Sequence, residues 1–386
     1  MRQRPDPLHL AFGAIAIGMV VLLTGVTLAW RSSGGQTTGL GTGAGVAVGA
    51  DTTLPVILEP VPSAGPVVPT TLPAPAGPPS TEAATSPPPS AAPATQPAKP
   101  PTVSASAGTG ASKGATASTA PFFGMGTWVD VFDWAPSYSK GRPVQLVPGA
   151  VDAMADQGVQ VLYIQTTRAD YAGPGDIVDP GVLQQWLARA QARGLQVVAW
   201  YLPTLTDVGA DLRRLKATAG LATVDGIGVD IESKAVVNHD ERSRRLVELS
   251  RQARSALAGR PLSAITLPNV VTDVISPNYW PRFPWAEIRP YYDVWQPMGY
   301  WTNRKASSPY RNAELYTREN IERMRTKLGD PDAVVHPIGG IGDKTTPADI
   351  DGFLNAVRQT RSIGASLYDW KTQSTNSYTP MRAARS

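Results

Sequence analysis

The chain has 386 residues, a formal net charge of +4 and no cysteine. Without cysteine it cannot form disulfides or thiolate metal sites. The charge is modest, and no basic stripe interleaved with aromatic residues indicates a nucleic-acid partner. The 3 histidines are far apart in sequence, so the chain predicts neither a metal site nor a cofactor.

An apolar segment covers residues 8–30, preceded by Arg2 and Arg4 and followed by Arg31. A helix rising about 1.5 Å per residue would cross a hydrocarbon core roughly 30 Å thick with such a segment. No small-residue cleavage site follows directly, which favours an uncleaved transmembrane anchor over a removed signal peptide. The arginines predict a cytoplasmic N-terminus at residues 1–7 and an extracytoplasmic C-terminal domain, with a secreted form as the alternative if the segment is cleaved.

Residues 31–120 are rich in Pro, Ala, Thr, Ser and Gly and contain no aromatic residue. A segment of this composition cannot bury enough apolar surface to offset the loss of chain entropy. Pro-rich stretches stay extended in solution. The segment is therefore predicted to be a disordered extracytoplasmic linker that carries a domain away from the membrane.

Aromatic residues return at Phe122, and strand-like and helix-like segments alternate from there onward. The predicted strands cover residues 127–134, 159–166, 195–203, 226–232, 262–268, 293–300, 334–341 and 365–370. The predicted helices cover residues 148–157, 180–193, 207–219, 240–258, 318–328 and 347–361, with a shorter Pro-broken segment at 280–289. This alternation predicts an α/β fold, a (β/α)8 TIM barrel at residues 121–386. A doubly wound open sheet is the alternative, but no Gly-rich phosphate loop follows the first strand.

The fourth predicted strand carries two acidic residues at its C-terminal end, Asp230 and Glu232. They alternate with Ile227, Val229 and Ile231, so the carboxylates share one face of the strand and the aliphatic side chains the other. Burying a carboxylate costs several kcal/mol unless it is paired or used. A salt bridge or a loop cap is the simpler interpretation of an isolated pair. The C-terminal ends of barrel strands form the catalytic face, however, and this position favours a catalytic site.

Other polar and aromatic side chains follow the remaining predicted strands. We expect a substrate-binding role for Asp130, Gln165, Tyr201, Gln296, Tyr300, Trp301, Asp369 and Trp370. Aromatic faces stack on sugar rings, and carboxyl groups can protonate a glycosidic oxygen, so the set indicates a carbohydrate ligand. Trp301 and Trp370 begin loops and are expected to be exposed, although core packing is the alternative for any of these aromatic residues.

The stretch Asp225-Gly-Ile-Gly-Val-Asp230-Ile-Glu232 resembles the strand-four motif D-G-x-D-x-D-x-E of family-18 chitinases. Met298-Gly-Tyr300 resembles their strand-six motif M-x-Y, and Trp370 lies where they carry a strand-eight tryptophan under the sugar. The resemblance implies that Glu232 is a general acid and that Asp230 orients an N-acetyl group of the substrate. It also implies a hydrogen bond from Tyr300 to that group.

Two positions depart from the family pattern: Gly228 replaces the middle aspartate of the motif, and Trp301 stands where that family has an aspartate. The overall pattern also resembles membrane-anchored actinobacterial proteins of glycoside-hydrolase type. We therefore expect a membrane-anchored glycoside hydrolase that acts on cell-envelope or environmental polysaccharide by carboxylate general acid/base catalysis. A non-catalytic glycan-binding barrel is the alternative. A second carboxylate facing Glu232, from Asp130 or Asp369, would favour the enzyme.

Overall fold

The computed structural model of the chain describes residues 117–372, 378–379 and 381–382. The predicted N-terminus, transmembrane anchor and linker, at residues 1–7, 8–30 and 31–120, lie outside this part except for residues 117–120. Among the described residues, no helix combines the length and the apolar composition that crossing a membrane requires.

In this part of the chain, eight parallel strands form one sheet that curves into a nearly closed barrel. They are β1 Gly124–Val129, β2 Val161–Gln165, β3 Gln196–Tyr201, β4 Gly226–Ile231, β5 Leu262–Thr266, β6 Val294–Pro297, β7 Ile338–Ile341 and β8 Gly364–Tyr368. Neighbouring strands pair in the order β6-β5-β4-β3-β2-β1-β8-β7. The two end strands are joined by the isolated pairs Trp295–Val335 and Met298–Ile338. The predicted (β/α)8 barrel is confirmed, and the doubly wound alternative is excluded because its sheet would stay open.

Helices alternate with the strands and pack on the outside of the barrel. They are α1 Val131–Trp134, α2 Ala150–Asp156, α3 Pro180–Ala192, α4 Val208–Ala219, α5 His239–Ala256, α6 Trp285–Ile288, α7 Ala313–Leu328 and α8 Pro347–Gln359. Side-chain caps define several helix starts: the Asp207 carboxylate accepts from the amide of Ala210, and the Asn238 side chain accepts from the amides of Asp240 and Glu241. Such caps satisfy amide groups that a helix N-terminus leaves unpaired.

The core has two layers, which the strands separate. The outer layer, between strands and helices, includes Val229 and Leu246. The inner layer fills the barrel, where the rings of Trp128 and Tyr163 stack with centroids 4.2 Å apart. A Cβ atom at Gly126 would lie 2.5 Å from the Tyr163 ring, so glycine makes room for these aromatic side chains. Because successive side chains alternate between the two faces of a strand, every second residue of each strand points into the barrel.

The first predicted strand is wrong at its C-terminal end. It was expected to reach residue 134, whereas β1 ends at Val129 and α1 begins at Val131. The carboxylate of Asp130 accepts a hydrogen bond of 2.8 Å from the amide of Phe132 and caps the short helix. The apolar residues that follow favour a strand by propensity, and this cap overrides it. The helix predicted at 318–328 likewise begins earlier, at Ala313.

Candidate active site

Asp230 and Glu232 lie at the C-terminal end of β4, on the side that faces the barrel interior. The aliphatic residues Ile227, Val229 and Ile231 pack in the outer layer, as the alternation predicts. Asp230 is 7% exposed and Glu232 is 4% exposed. Two nearly buried carboxyl groups are thus held side by side at the mouth of the barrel, which we define as its C-terminal end. This is the end where (β/α)8 enzymes carry their active sites.

Packing explains why glycine occupies position 228. A Cβ atom there would lie 3.0 Å from Cδ1 of Ile265 and 3.1 Å from Cβ of Trp200. The interior space in front of Gly228 is therefore filled by an indole and an aliphatic side chain instead of a carboxylate. On the same strand, Oδ1 of Asp230 is buried without a hydrogen-bond partner.

A second acidic group, which we call the acid trio, consists of Asp130, Asp133 and Asp369. One carboxylate oxygen from each residue lies within 4.8 Å of the others, and all three side chains are buried. Both oxygens of Asp130 are engaged: Oδ1 accepts from the amide of Phe132, and Oδ2 accepts at 3.0 Å from the phenol of Tyr368. The trio joins the ends of β1 and β8 with helix α1.

The trio is close enough to share one cation, and the protein supplies a cation there. Nζ of Lys371 lies 3.1 Å from Oδ1 of Asp133, in a pair whose side chains are 16% and 1% exposed. Oδ1 of Asp369 accepts a hydrogen bond of 2.9 Å from the amide of Thr372. The turn after β8 therefore provides both a carboxylate and the ammonium group that balances its acidic neighbours.

The phenol of Tyr300 lies near both acidic groups. In the strand order, β4 and β8 are on opposite sides of the barrel and β6 lies midway between them. Tyr300 follows β6, and its ring centroid lies 5.7 Å from that of Tyr368. Burial raises the pKa of Tyr300 well above its usual range, and the carboxylates of Glu232, Asp230 and Asp369 raise it further. The β4 pair and the acid trio thus act on one phenol at the mouth.

The β4 pair favours its protonated form. Burial raises the pKa of Asp230 to about 8. Burial also raises the pKa of Glu232 well above its usual range, and the charge of Asp230 raises it further, against a smaller opposing effect of Lys234. Two neighbouring carboxyl groups removed from water cannot both ionise easily. Burial and the neighbouring Asp230 therefore both favour the protonated form of Glu232.

The trio contains groups of unequal acidity. Burial raises the pKa of Asp133 to about 9, with further increases from Asp130 and Asp369. Burial raises the pKa of Asp369 only to about 6, because hydrogen bonds from Thr372 and the charge of Lys371 oppose it. At neutral pH Asp369 is therefore mostly ionised, while Glu232 across the barrel keeps its proton.

Two side chains that the sequence analysis did not select lie beside Glu232. The phenol of Tyr279 donates a hydrogen bond of 3.2 Å to the backbone carbonyl of Glu232. Nζ of Lys234 lies 3.6 Å from the centroid of the Tyr279 ring, a cation–π contact. Lys234 lies two residues after Glu232, so its closeness to the motif in sequence could have identified it. Tyr279 lies in the long connection after β5 and carries no sequence signal.

Gln165 and Gln296 lie inside the barrel, as their strand positions predict. Oε1 of Gln165 accepts a hydrogen bond of 3.3 Å from the amide of Val131, at the start of α1. Oε1 of Gln296 accepts at 2.6 Å from the hydroxyl of Ser263. Both side chains are almost completely buried, so their observed contacts support the wall of the site. Their predicted contact with substrate stays a prediction.

The assignment of Tyr201 to the substrate site requires correction. Its side chain is 0% exposed and lies in the outer layer, between β3 and the helices. Its phenol donates a hydrogen bond to the carboxylate of Asp211 on α4. The predicted strand was right, but Trp200 is the residue that points into the barrel at this level.

The expectation that Trp301 is exposed is also wrong. Its side chain is 0% exposed, and its ring centroid lies 5.3 Å from that of Phe353 on α8. Trp370 is half-buried against Tyr378, with ring centroids 5.2 Å apart. Core packing, the alternative interpretation for these aromatic residues, therefore holds for Trp301, whereas Trp370 keeps part of its surface open.

No known protein-family model and no curated protein sequence matches the chain. Solved structures do resemble it. The spore cortex-lytic enzyme SleL of Bacillus cereus has a TM-score of 0.52 at 10% identity, over 68% of this chain and 74% of that one. An endo-1,4-β-D-mannanase of Thermotoga petrophila has a TM-score of 0.50 at 10% identity, over 68% of this chain and 99% of that one. A Group IV chitinase of Ostrinia furnacalis has a TM-score of 0.50 at 9% identity, over 67% of this chain and 98% of that one.

These structural neighbours are glycoside hydrolases, and at this identity the likeness shows the fold alone. The chain thus shares a (β/α)8 barrel fold with these structures.

Proposed function

We propose that the protein is a glycoside hydrolase in which Glu232 is the general acid. One arrangement carries the proposal: the buried carboxyl group of Glu232 follows β4, and the carboxyl group of Asp369 follows β8 on the opposite side of the barrel mouth. Their surroundings differ, so their pKa values are raised unequally. Glycoside hydrolysis requires this asymmetry, because one group protonates the leaving oxygen while the other acts as a base, as a nucleophile or as a charge partner.

Asp369 is the best candidate for the ionised partner. It follows β8, opposite β4 in the strand order, and its pKa of about 6 leaves it charged at neutral pH. Asp130 is the less suitable candidate, because both of its oxygens accept hydrogen bonds from Phe132 and Tyr368. In our proposal Asp130 supports the site and Asp369 faces the anomeric carbon.

Tyr300 and Asp230 orient the substrate in this proposal. The Tyr300 phenol keeps its proton and is able to donate a hydrogen bond, since burial raises its pKa and neighbouring carboxylates raise it further. Asp230 has a buried oxygen without a hydrogen-bond partner, which a hydroxyl or amide of the substrate would satisfy. The sugar ring would then lie against the half-buried ring of Tyr368.

The proposed substrate is a cell-envelope or environmental polysaccharide, reached from a membrane-anchored position outside the cell. Support for the location comes from the apolar residues 8–30 and the Pro-rich residues 31–120. Protease treatment of intact cells tests it. Loss of a C-terminal tag, with the full-length chain in the membrane fraction beforehand, is expected. A chain found only in the cytosol would contradict the proposed location without affecting the chemistry.

A hydrolysis assay on mannan, glucan, chitin and peptidoglycan tests the activity, with release of reducing ends as the readout. Glu232→Gln keeps the side-chain shape and removes the acid, so we expect a loss of at least about 10²-fold in rate with binding retained. Glu287→Gln, at an exposed position on α6, is the matched control. Binding by the parent protein without any cleavage would favour the glycan-binding alternative over the enzyme.

A further inference from the structure

Lys371 lies in the candidate active site and has no role in the proposed chemistry. It lies two residues after Asp369, in the turn that follows β8. Its ammonium contacts Oδ1 of Asp133 at 3.1 Å, although the Asp133 side chain is only 1% exposed. A lysine held this close to a buried carboxylate loses side-chain freedom and water, so the contact requires a compensating gain.

The ammonium group of Lys371 affects all three carboxyl groups of the acid trio, not only Asp133. Burial raises the pKa of Asp130, Asp133 and Asp369, and the positive charge of Lys371 opposes this rise in each of them. Their oxygens lie within 4.8 Å, so three negative charges there would repel each other strongly. Asp133 and Asp130 are engaged by the ion pair and by hydrogen bonds from the fold, respectively. Asp369 is the member of the trio opposite the β4 pair.

We propose that Lys371 is a positioning residue: anchored on Asp133, it keeps Asp369 in its carboxylate form opposite the acid Glu232. This inference rests on the proposed function, because it assigns the ionised partner of the reaction and the group that maintains it. The proton that reaches the leaving oxygen comes from Glu232, and Lys371 takes no part in that transfer.

Other charged and titratable groups around Asp369 affect the same balance. They are Asp130 after β1, Asp133 from α1, Tyr300 after β6, Tyr368 from β8, and Tyr378. The tyrosines have pKa values raised by burial and stay neutral over the working range. Arg168 is the other cation, and it acts on Asp130. Lys371 acts on Asp369 itself, so its removal should change the ionisation of that carboxyl group.

The variants Lys371→Met and Lys371→Arg test the inference in the full-length chain, with exposed Lys344→Met as the control. We expect the acidic limb of the kcat/KM profile of Lys371→Met to move to higher pH, because loss of the ammonium charge raises the pKa of Asp369. Lys371→Arg should restore the profile. Unchanged profiles in Lys371→Met would overturn the role.

The double variant Asp133→Asn with Lys371→Met separates this role from simple neutralisation of Asp133. If Lys371 serves only Asp133, replacing both partners restores the profile of the parent. If it serves Asp369, the profile stays shifted while stability recovers. Inactivation of the parent by EDTA, reversed by Ca²⁺, would assign the shared cation to a bound metal and overturn the inference.

A measurement without substrate distinguishes failure of the inference from failure of the proposed function. Thermal unfolding at pH 8 should show Asp369→Asn raising the midpoint more in the Lys371→Met background than in the parent. This coupling is expected whether or not a glycan is cleaved. Equal effects in both backgrounds would overturn the role of Lys371, and coupling without hydrolysis would overturn only the enzymatic function.

Discussion

The phenol of Tyr368 donates a hydrogen bond of 3.0 Å to Oδ2 of Asp130, which ties the end of β8 to the end of β1 at the barrel mouth. Asp130 also caps α1, so one buried carboxylate holds the last strand, the first strand and the first helix together. This contact fixes the position of the adjacent Asp369, the proposed partner of Glu232.

Tyr368→Phe should lower the free energy of unfolding by about 1–3 kcal/mol, because it leaves a buried carboxylate oxygen without its donor. The hydrogen bond lowers the pKa of Asp130, so the pKa of this carboxyl should rise in the variant. Urea unfolding measures the effect. Tyr310→Phe removes a half-buried phenol that contacts Glu319 at 3.3 Å and serves as the control. Equal, small effects of the two changes would show that the Asp130 contact does not stabilise the mouth.

Gly228→Asp, which restores the middle aspartate of the chitinase motif, should destabilise the fold. The new Cβ would meet Ile265 and Trp200 at 3.0 and 3.1 Å, and the carboxylate would have to displace one of them. Overpacking of a core typically costs about 1–3 kcal/mol, and burying the charge adds to this cost. Gly228→Ala should cost less in the same urea unfolding experiment. An aspartate variant as stable as the parent would mean that the interior accommodates the family arrangement.

The stability of the fold should fall as pH rises through the range in which Asp230 keeps its proton. Its pKa is about 8 in the folded chain against an ordinary value of 3.8. Between these values the folded state binds a proton that the unfolded state has released, so the contribution is present below about pH 4 and lost as pH approaches 8.

Asp230→Asn should flatten this decline, by up to about 1.4 kcal/mol per pH unit. Denaturant unfolding at several pH values measures it, with exposed Asp240→Asn as the control. Curves for the parent and Asp230→Asn that run parallel from pH 4 to 8 would contradict the raised pKa.

Replacing Tyr201 and Tyr300 by phenylalanine compares a tyrosine of the outer layer with a tyrosine at the barrel mouth. Tyr201→Phe removes a hydrogen bond to Asp211 in the outer layer, so it should cost about 1 kcal/mol of stability and leave KM unchanged. Tyr300→Phe removes the phenol that lies near the β4 pair and the acid trio, so it should lower kcat/KM. Steady-state kinetics and thermal unfolding of both variants provide the comparison. A KM effect in Tyr201→Phe would place that residue back among the substrate contacts.

Much of the barrel was predictable because strand-like and helix-like segments alternate along the chain. Within the fourth strand, the alternation of apolar and acidic residues also placed Asp230 and Glu232 on one shared face. The prediction was wrong at Tyr201, where the strand was recognised but its register between the two faces was not. A shift of one residue exchanges the faces, and the apolar run from Val197 to Tyr201 gives no polar alternation that sets the register.

Contacts between distant parts of the chain lay beyond the sequence. Asp133 and Lys371 are far apart in the chain, and nothing local indicates that they meet. Trp301 follows the M-x-Y stretch at the start of a loop, yet it is buried because Phe353 of α8 packs against it. Closure of β8 against β1 creates the acid trio, so the trio becomes visible only in the folded barrel.

The most direct test of the central claim compares Glu232→Gln with the parent on two substrates that differ only in their leaving group. A sugar or alcohol leaves only after protonation, whereas a dinitrophenolate leaves without it, so the need for a general acid differs between them. The account predicts a loss of at least about 10²-fold in kcat/KM on the natural linkage and a far smaller loss on the dinitrophenyl glycoside. An equal loss on both substrates, or full activity on the natural linkage, would contradict the assignment of Glu232 as the acid.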